Sequence, residues 1–266
     1  MCIPFFLGEI FMIKKEKVLI TPYNERRRLH IYLPECVKKG ERCGVVYMFD
    51  GHNLFEDKDA TYGKSWGIKK YLDENQLPVI VVGIECNHKG NLRLCEFSPY
   101  NFMDKHFGRI DATGKKLTRW IVNELKPYID KKYPTLPDRE HTAIGGSSMG
   151  GLMSLYIGAT ESETFSKAIC VSPHHKHLMK PLMKDMAHPI EPDTFFYISW
   201  GADEVNTKKA LATLSESNLR IAGALRTRAE VSCHLYPDQD HSEASWEKET
   251  GIWMKESGIY NWKSVK

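Results

Sequence analysis

Apolar residues in this chain fall into two alternating patterns: short unbroken runs, and longer stretches with apolar residues three and four apart. Runs at 18–21 and 29–33 flank a polar turn and predict two early strands. The runs at 45–49 and 79–84 are continuously apolar, as strands covered on both faces are, and the first ends in Asp50-Gly51. Residues 114–132 carry Leu117, Trp120, Ile121 and Leu125 on one helical face, and Tyr133-Pro134 stops that helix. A β-prone run at 141–144 precedes Leu152, Leu155, Tyr156 and Ala159, which again recur at helical spacing. Strands are then expected at 168–171, 195–200 and 231–236, and helices at 205–229 and 242–256. Early antiparallel strands followed by alternating strands and helices predict an α/β fold with a largely parallel sheet, whose sites lie at the carboxyl ends of the strands.

Composition narrows this picture without redirecting it. The 266 residues, 42% apolar and without internal repeats, are expected to form one domain over 1–266 with a sizeable core. The charge, 37 − 34 = +3, is too mild to indicate nucleic acid. Arg26-Arg27-Arg28 and Lys14-Lys15 are expected to be solvated at a strand edge and a turn. Seven cysteines, an odd number with no C-x-x-C spacing, argue against a disulfide framework or a zinc site and fit a reducing, cytoplasmic setting. The apolar stretch 3–13 is interrupted by Glu9, lacks a preceding cation or following cleavage site, and is too short to span a bilayer. It is expected to be an edge segment, or 1–13 an N-terminal extension, with Met12 an ordinary alternative start. No membrane partner is expected, and self-association stays open.

The chemistry concentrates at Gly145-Gly146-Ser147-Ser148-Met149-Gly150-Gly151. Gly146, Ser148 and Gly150 fit G-x-S-x-G, the nucleophile elbow, in which small residues allow a strained strand-to-helix turn to lift the serine hydroxyl clear of the sheet. Five positions with three fixed residues are only moderately specific, and a Gly/Ser-rich loop is the bland alternative. The predicted strand before Ser148 and helix after it favour the elbow. A serine hydroxyl needs a base. In chain order Ser, acid, His, the base is expected at His241, just past the last strand. His234 falls inside a strand pattern and is expected on a sheet face. The acid is expected in Gly201-Ala202-Asp203-Glu204, with Glu204 preferred, Asp203 its rival, and Asp238 or Asp240 the remaining choices. Oxyanion donors are expected from the Met149 amide and from the loop Asp50-Gly51-His52-Asn53.

Several further motifs stand in register. Phe49-Asp50-Gly51-His52-Asn53-Leu54-Phe55 resembles a D-G-x-N-L-F segment. Trp66, the run 81–84, Arg93 with Glu96-Phe97-Ser98-Pro99, Ser172-Pro173, and His241-Ser242-Glu243-Ala244-Ser245-Trp246 follow. From about residue 18 to the C-terminus, the chain resembles the putative esterase family of α/β-hydrolases. That group includes feruloyl and acetyl-xylan esterases, S-formylglutathione hydrolases, siderophore esterases and mycolyl-transferases. The resemblance implies an α/β-hydrolase fold with about eight strands and helices on both faces. It implies Ser148 as nucleophile, His241 as base, the His52 and Met149 amides as oxyanion hole, and no metal or organic cofactor. Gly201-Ala202-Asp203-Glu204 is similar to the family's G-T-x-E/D, with Ala202 in place of threonine, which is why Glu204 is preferred. Two features depart from the pattern: His174-His175-Lys176-His177 follows Ser172-Pro173 where an aromatic is common, and no secretion signal is recognisable.

The expected activity is a serine carboxylesterase acting on a small-molecule or carbohydrate ester, such as an acetyl or feruloyl ester. An acyl transferase or thioesterase with the same triad, and a non-catalytic binding protein that keeps the fold, are the alternatives. Asp50, Trp66, Trp200 and His174 are the candidate substrate contacts. For Trp66 and Trp200, and for Phe97 and Tyr100, core packing is the competing expectation. The histidine segment is expected to rim the cleft rather than bind a metal. Arg93 and Glu96 are expected to pair with each other, or Arg93 to bind a substrate carboxylate. Cys43, Cys86 and Cys170 are expected to be buried fillers.

Overall fold

The computed structural model describes residues 12–175 and 178–266. The main sheet has eight strands in the order β1-β2-β4-β3-β7-β8-β9-β10. These are β1 (Met12–Ile20), β2 (Glu25–Leu33), β3 (Gly44–Phe49), β4 (Val79–Ile84), β7 (Thr142–Ser147), β8 (Lys167–Val171), β9 (Phe195–Gly201) and β10 (Glu230–Tyr236). A separate hairpin of β5 (Phe102–Asp104) and β6 (Gly108–Ile110) pairs antiparallel. β1 pairs antiparallel with β2, and β2 with β4. Every neighbour from β4 to β10 is parallel. This is the α/β-hydrolase architecture.

Alternation within the continuously apolar strands builds two cores. Val45, Tyr47 and Phe49 of β3 face one side, and Val46 and Met48 the other. The first side is covered by α4 (Gly114–Trp120), the following π turn Ile121–Leu125, α5 (Lys126–Lys132), α6 (Met149–Thr160), α7 (Met179–Asp185) and α8 (Lys208–Leu225). The second is covered by α2 (Ile68–Glu74) and α9 (Glu243–Glu256), with Trp253 fully buried. Two short helices, α1 (Glu35–Lys38) and α3 (Leu92–Glu96), complete the set.

Three expectations are corrected here. Arg27 is not solvated: it is buried against Glu96, with Nη1 2.7 Å and Nη2 2.9 Å from the carboxylate oxygens. An Arg–carboxylate fork brought out of water must be paired on both sides, and this one is. Glu96 therefore does not pair with Arg93. The helix expected at 205–229 begins only at Lys208, where the Thr207 hydroxyl accepts the Ala210 N–H and caps it. Residues 1–11 lie outside the described residues; Met12 and Ile13 open β1 at the sheet edge. No helix among the described residues is long and apolar enough to cross a membrane.

Candidate active site

The elbow is built as its sequence demands. Ser148 sits between β7 and α6 at φ 56°, ψ −118°, a conformation that costs an L residue roughly 1–3 kcal/mol. A Cβ on Gly146 would lie 2.9 Å from the Gly150 carbonyl carbon, and one on Gly150 would lie 2.8 Å from Phe49 Cβ. Both positions must therefore be bare. The Ser148 N–H donates to Val171 O (3.0 Å), and the Ser148 carbonyl accepts from Leu152 and His174 (3.0 and 2.9 Å). These bonds from β8, α6 and the loop after β8 hold the strained turn.

His241 lies beyond β10. Its Nδ1 is 3.0 Å from Glu204 Oε2. An ionised carboxylate only accepts, so Nδ1 carries the proton and Nε2 keeps its lone pair. Glu204 Oε1 accepts the Gly201 N–H at 2.7 Å and the Ser172 hydroxyl at 2.7 Å. Ser172, itself at φ 46°, accepts from Trp246 Nε1 at 3.0 Å. Burial pushes the Glu204 carboxyl up, but the bonds from His241, Gly201 and Ser172 outweigh it and hold the group below its ordinary range. The loops are joined by a bond from the Asp203 N–H to Gln239 O (3.0 Å). Asp203 is exposed, and Asp240 is held by the Ser242 and Ser245 hydroxyls, so Glu204 is the carboxylate that reaches the imidazole. His234 stays on the sheet face, with Nε2 2.8 Å from Glu256. Among the described residues no hydrogen bond joins Ser148 Oγ to His241; such bonds are commonly long in the resting state and tighten on binding.

Asp50, at φ 54°, turns the chain after β3 into the short helix Gly51–Asn53. Arg93 grips it with two bonds, Nε to Oδ1 at 2.8 Å and Nη2 to Oδ2 at 2.7 Å. Burial raises the Asp50 carboxyl, yet the Arg93 guanidinium more than compensates and keeps it ionised. Asn53 donates to Glu243 Oε1 (3.0 Å), tying the turn to the start of α9. The Met149 N–H stands at the start of α6, where helix geometry offers no internal acceptor. Among the described residues no carbonyl outside the local helices takes the His52 or Met149 N–H.

A cavity of about 710 Å³ opens beside this centre, lined by Ser172, His174, His175, Glu204, Leu214 and His241 among others. A second cavity, about 490 Å³ near Pro34, Cys36, Pro78 and Trp262, lies at the amino end of β4, the opposite edge of the sheet from the elbow. His174 is exposed at the first cavity's wall. His175 is buried, its Nε2 3.0 Å from Asn218 Oδ1, so the histidine segment is only partly a rim; Lys176 and His177 lie outside the described residues. Three expected substrate contacts are not among the residues lining this cavity. Trp66 is buried against Trp246 (ring centroids 5.6 Å apart), and Trp200 is buried with Nε1 donating to Ser215. Asp50 is 5% exposed and held by Arg93. Each is held in place by packing or hydrogen bonds within the fold. The bridging role of Ser172 was not legible in the chain, although Ser172-Pro173 stood out as a landmark.

The model for the family described as Putative esterase matches residues 21–251. The chain belongs to that family. It is accordingly an ester-hydrolysing enzyme of α/β-hydrolase fold. A Bacillus subtilis (strain 168) relative, the uncharacterized protein YjcH, is 23% identical over 183 residues, 66% of this chain and 69% of that one. Among solved structures, an IroE-like serine hydrolase from Shewanella oneidensis is similar with TM-score 0.72 and 18% identity, over 94% of this chain and 79% of that one. A ferulic acid esterase from Anaeromyces mucronatus gives 0.63 and 20% over 97% and 92%. An S-formylglutathione hydrolase from Agrobacterium tumefaciens gives 0.66 and 15% over 94% and 95%.

Proposed function

We propose that the chain is a serine carboxylesterase that works through an acyl-enzyme on Ser148. The observation that carries this reading is the Glu204–His241 hydrogen bond at the strand ends beside a strained elbow serine. In this reading Ser148 Oγ attacks the ester carbonyl as His241 Nε2 takes its proton, and the carbonyl π pair moves onto oxygen. The His52 and Met149 amides hold that oxyanion. Collapse expels the alcohol, which takes the proton from His241; water then repeats the sequence and frees the acid. Glu204 fixes the imidazole tautomer and stabilises the imidazolium.

An acetyl or feruloyl ester of a carbohydrate is the proposed substrate class. It is supported by the ferulic acid esterase among the structural neighbours and by a cavity within the range of small-molecule sites. A cytoplasmic, reducing setting is proposed from the free thiols at Cys36, Cys43, Cys86, Cys95, Cys170 and Cys233. The test is a panel of acetyl, feruloyl, longer-chain and thioester substrates against wild type and Ser148→Ala, with fluorophosphonate labelling mapped by mass spectrometry. Labelling at Ser148 and loss of about 10³-fold or more in Ser148→Ala are expected. Near-full activity in that variant would remove Ser148 from the mechanism.

A further inference from the structure

The loops that follow β3 and β4 are pressed together, because Gly51 and Gly83 approach backbone to backbone: a Cβ on Gly51 would meet Gly83 C at 2.4 Å. This junction gathers three side chains that the ester chemistry does not use: His52, Cys86 and His88. One ligand-capable atom from each lies within 4.8 Å of the other two. Cys86 Sγ is 3.9 Å from His88 Nδ1, and the two imidazole rings meet edge to face with centroids 4.7 Å apart.

The surroundings of both imidazoles fit metal ligation. His88 Nε2 is 3.1 Å from Glu85 Oε1; the carboxylate accepts, so the proton sits on Nε2 and the Nδ1 lone pair faces the thiol. His52 Nε2 is 2.9 Å from Thr61 Oγ1. Its Nδ1 is a buried atom without a hydrogen-bond partner, on a side chain only 6% exposed. A buried nitrogen left unpaired costs roughly 1–3 kcal/mol, and a bound cation would remove that cost. Carboxylate and hydroxyl acceptors behind the far nitrogens are how proteins orient ligating histidines.

We propose that His52 Nδ1, Cys86 Sγ and His88 Nδ1 form a three-ligand site for a borderline-soft divalent cation, zinc above all, which clips the β3 loop to the β4 loop. One thiolate and two imidazoles suit zinc and offer nothing to magnesium or calcium, which require oxygen. Water would complete the tetrahedron. Zinc–ligand bonds of about 2.0–2.3 Å set ligand atoms roughly 3.3–3.6 Å apart, so the widest pair must close by about 1 Å. His88, with its side chain 53% exposed, has room to move inward. On binding, the Cys86 S–H bond breaks, both electrons stay on sulfur to form the S–Zn bond, and one proton leaves to buffer. Burial and the Asp50 carboxylate push the Cys86 thiol up, so the thiolate forms only with the cation in place, while Asp50 stays paired with Arg93 and Glu85 stays behind His88.

The binding does not depend on the hydrolytic reading. Metal-free protein is titrated with Zn²⁺ by calorimetry at neutral pH, and with Co²⁺ by absorbance, where a thiolate-to-cobalt charge-transfer band reports sulfur ligation. One equivalent is expected, with a rise in Tm on saturation. Cys86→Ser should lose the charge-transfer band and the Tm rise, and His88→Ala should bind roughly 10–100-fold more weakly, as losing a shell that orients a ligand already costs that much. His88 is exposed, so its variant keeps the fold readable even if Cys86→Ser folds poorly. Ser148→Ala should bind zinc like wild type, whatever its activity. No one-equivalent binding, or binding unchanged in both Cys86→Ser and His88→Ala, overturns the proposal.

Discussion

Replacing Glu204 by Gln changes no volume and isolates the function assigned to the acid. The carboxylate accepts three hydrogen bonds, from His241 Nδ1 at 3.0 Å, Gly201 N at 2.7 Å and Ser172 Oγ at 2.7 Å, and its side chain is 7% exposed. In Glu204→Gln the amide oxygen will keep the Gly201 N–H and the Ser172 hydroxyl, which turns the NH₂ toward His241. Nδ1 must then accept, the ring proton moves to Nε2, and the base can no longer take a proton from Ser148. Turning the amide over restores the tautomer but sets NH₂ against the Gly201 N–H, leaving a buried donor unpaired at about 1–3 kcal/mol. Either way a charge-assisted bond to the imidazolium is lost, worth about 1.5–3 kcal/mol. The sum, roughly 3–6 kcal/mol, corresponds to a fall in kcat/KM of about 10²–10⁴. The assay is steady-state hydrolysis of p-nitrophenyl acetate above neutral pH, with circular dichroism to verify folding. Asp203→Asn serves as the control, expected within about twofold of wild type because Asp203 is exposed and does not touch His241. A folded Glu204→Gln within about tenfold of wild type, alongside a large loss in Asp203→Asn, would refute the assignment of the acid.

Ser172→Ala removes the hydroxyl that joins Trp246 to Glu204, and is expected to lower kcat about tenfold with little change in KM, read by the same assay. Arg27→Met strands the buried Glu96 carboxylate and should cost about 3–5 kcal/mol in urea unfolding, much of it recovered in Arg27→Met/Glu96→Leu. Glu249 is 1% exposed, and burial raises its carboxyl from an ordinary 4.5 to about 7, against the hydrogen bond from Tyr197. Between those values the unfolded chain ionises while the folded one stays protonated, so stability should fall as pH rises from about 4.5 to about 7, by roughly 3 kcal/mol in all. Urea titrations should show that slope reduced in Glu249→Gln.

The topology and the tight turn at Ser148 could be read from the chain wherever the residues had little choice. Continuous apolar runs at β3 and β4 admit only strands covered on both faces, and the elbow glycines only a turn too tight for a Cβ. Adjacency across loops was less legible. Arg93 stood three residues before Glu96, within reach on a helix, yet α3 turns Arg93 toward Asp50 and leaves Glu96 to Arg27. Trp66 and Trp200 had the chemistry to stack on a substrate, yet both are buried, against Trp246 and Ser215, and no local spacing encodes that. The hairpin of β5 and β6 has only three residues per strand, too few for a period to register.

The parallel half of the sheet brings together groups far apart in the chain: the turn after β3, the elbow after β7, Ser172 after β8, Glu204 after β9 and His241 after β10. Parallel pairing is non-local, and closing its long loops precedes any reward. Hydrolytic competence therefore has no partial form along the folding route. Helical circular dichroism should recover early after dilution from denaturant, while turnover should appear only when β10 docks beside β9. A nick anywhere between β3 and β10 would leave activity contingent on the fragments finding each other, so the catalyst itself can serve as a sensor of completed assembly.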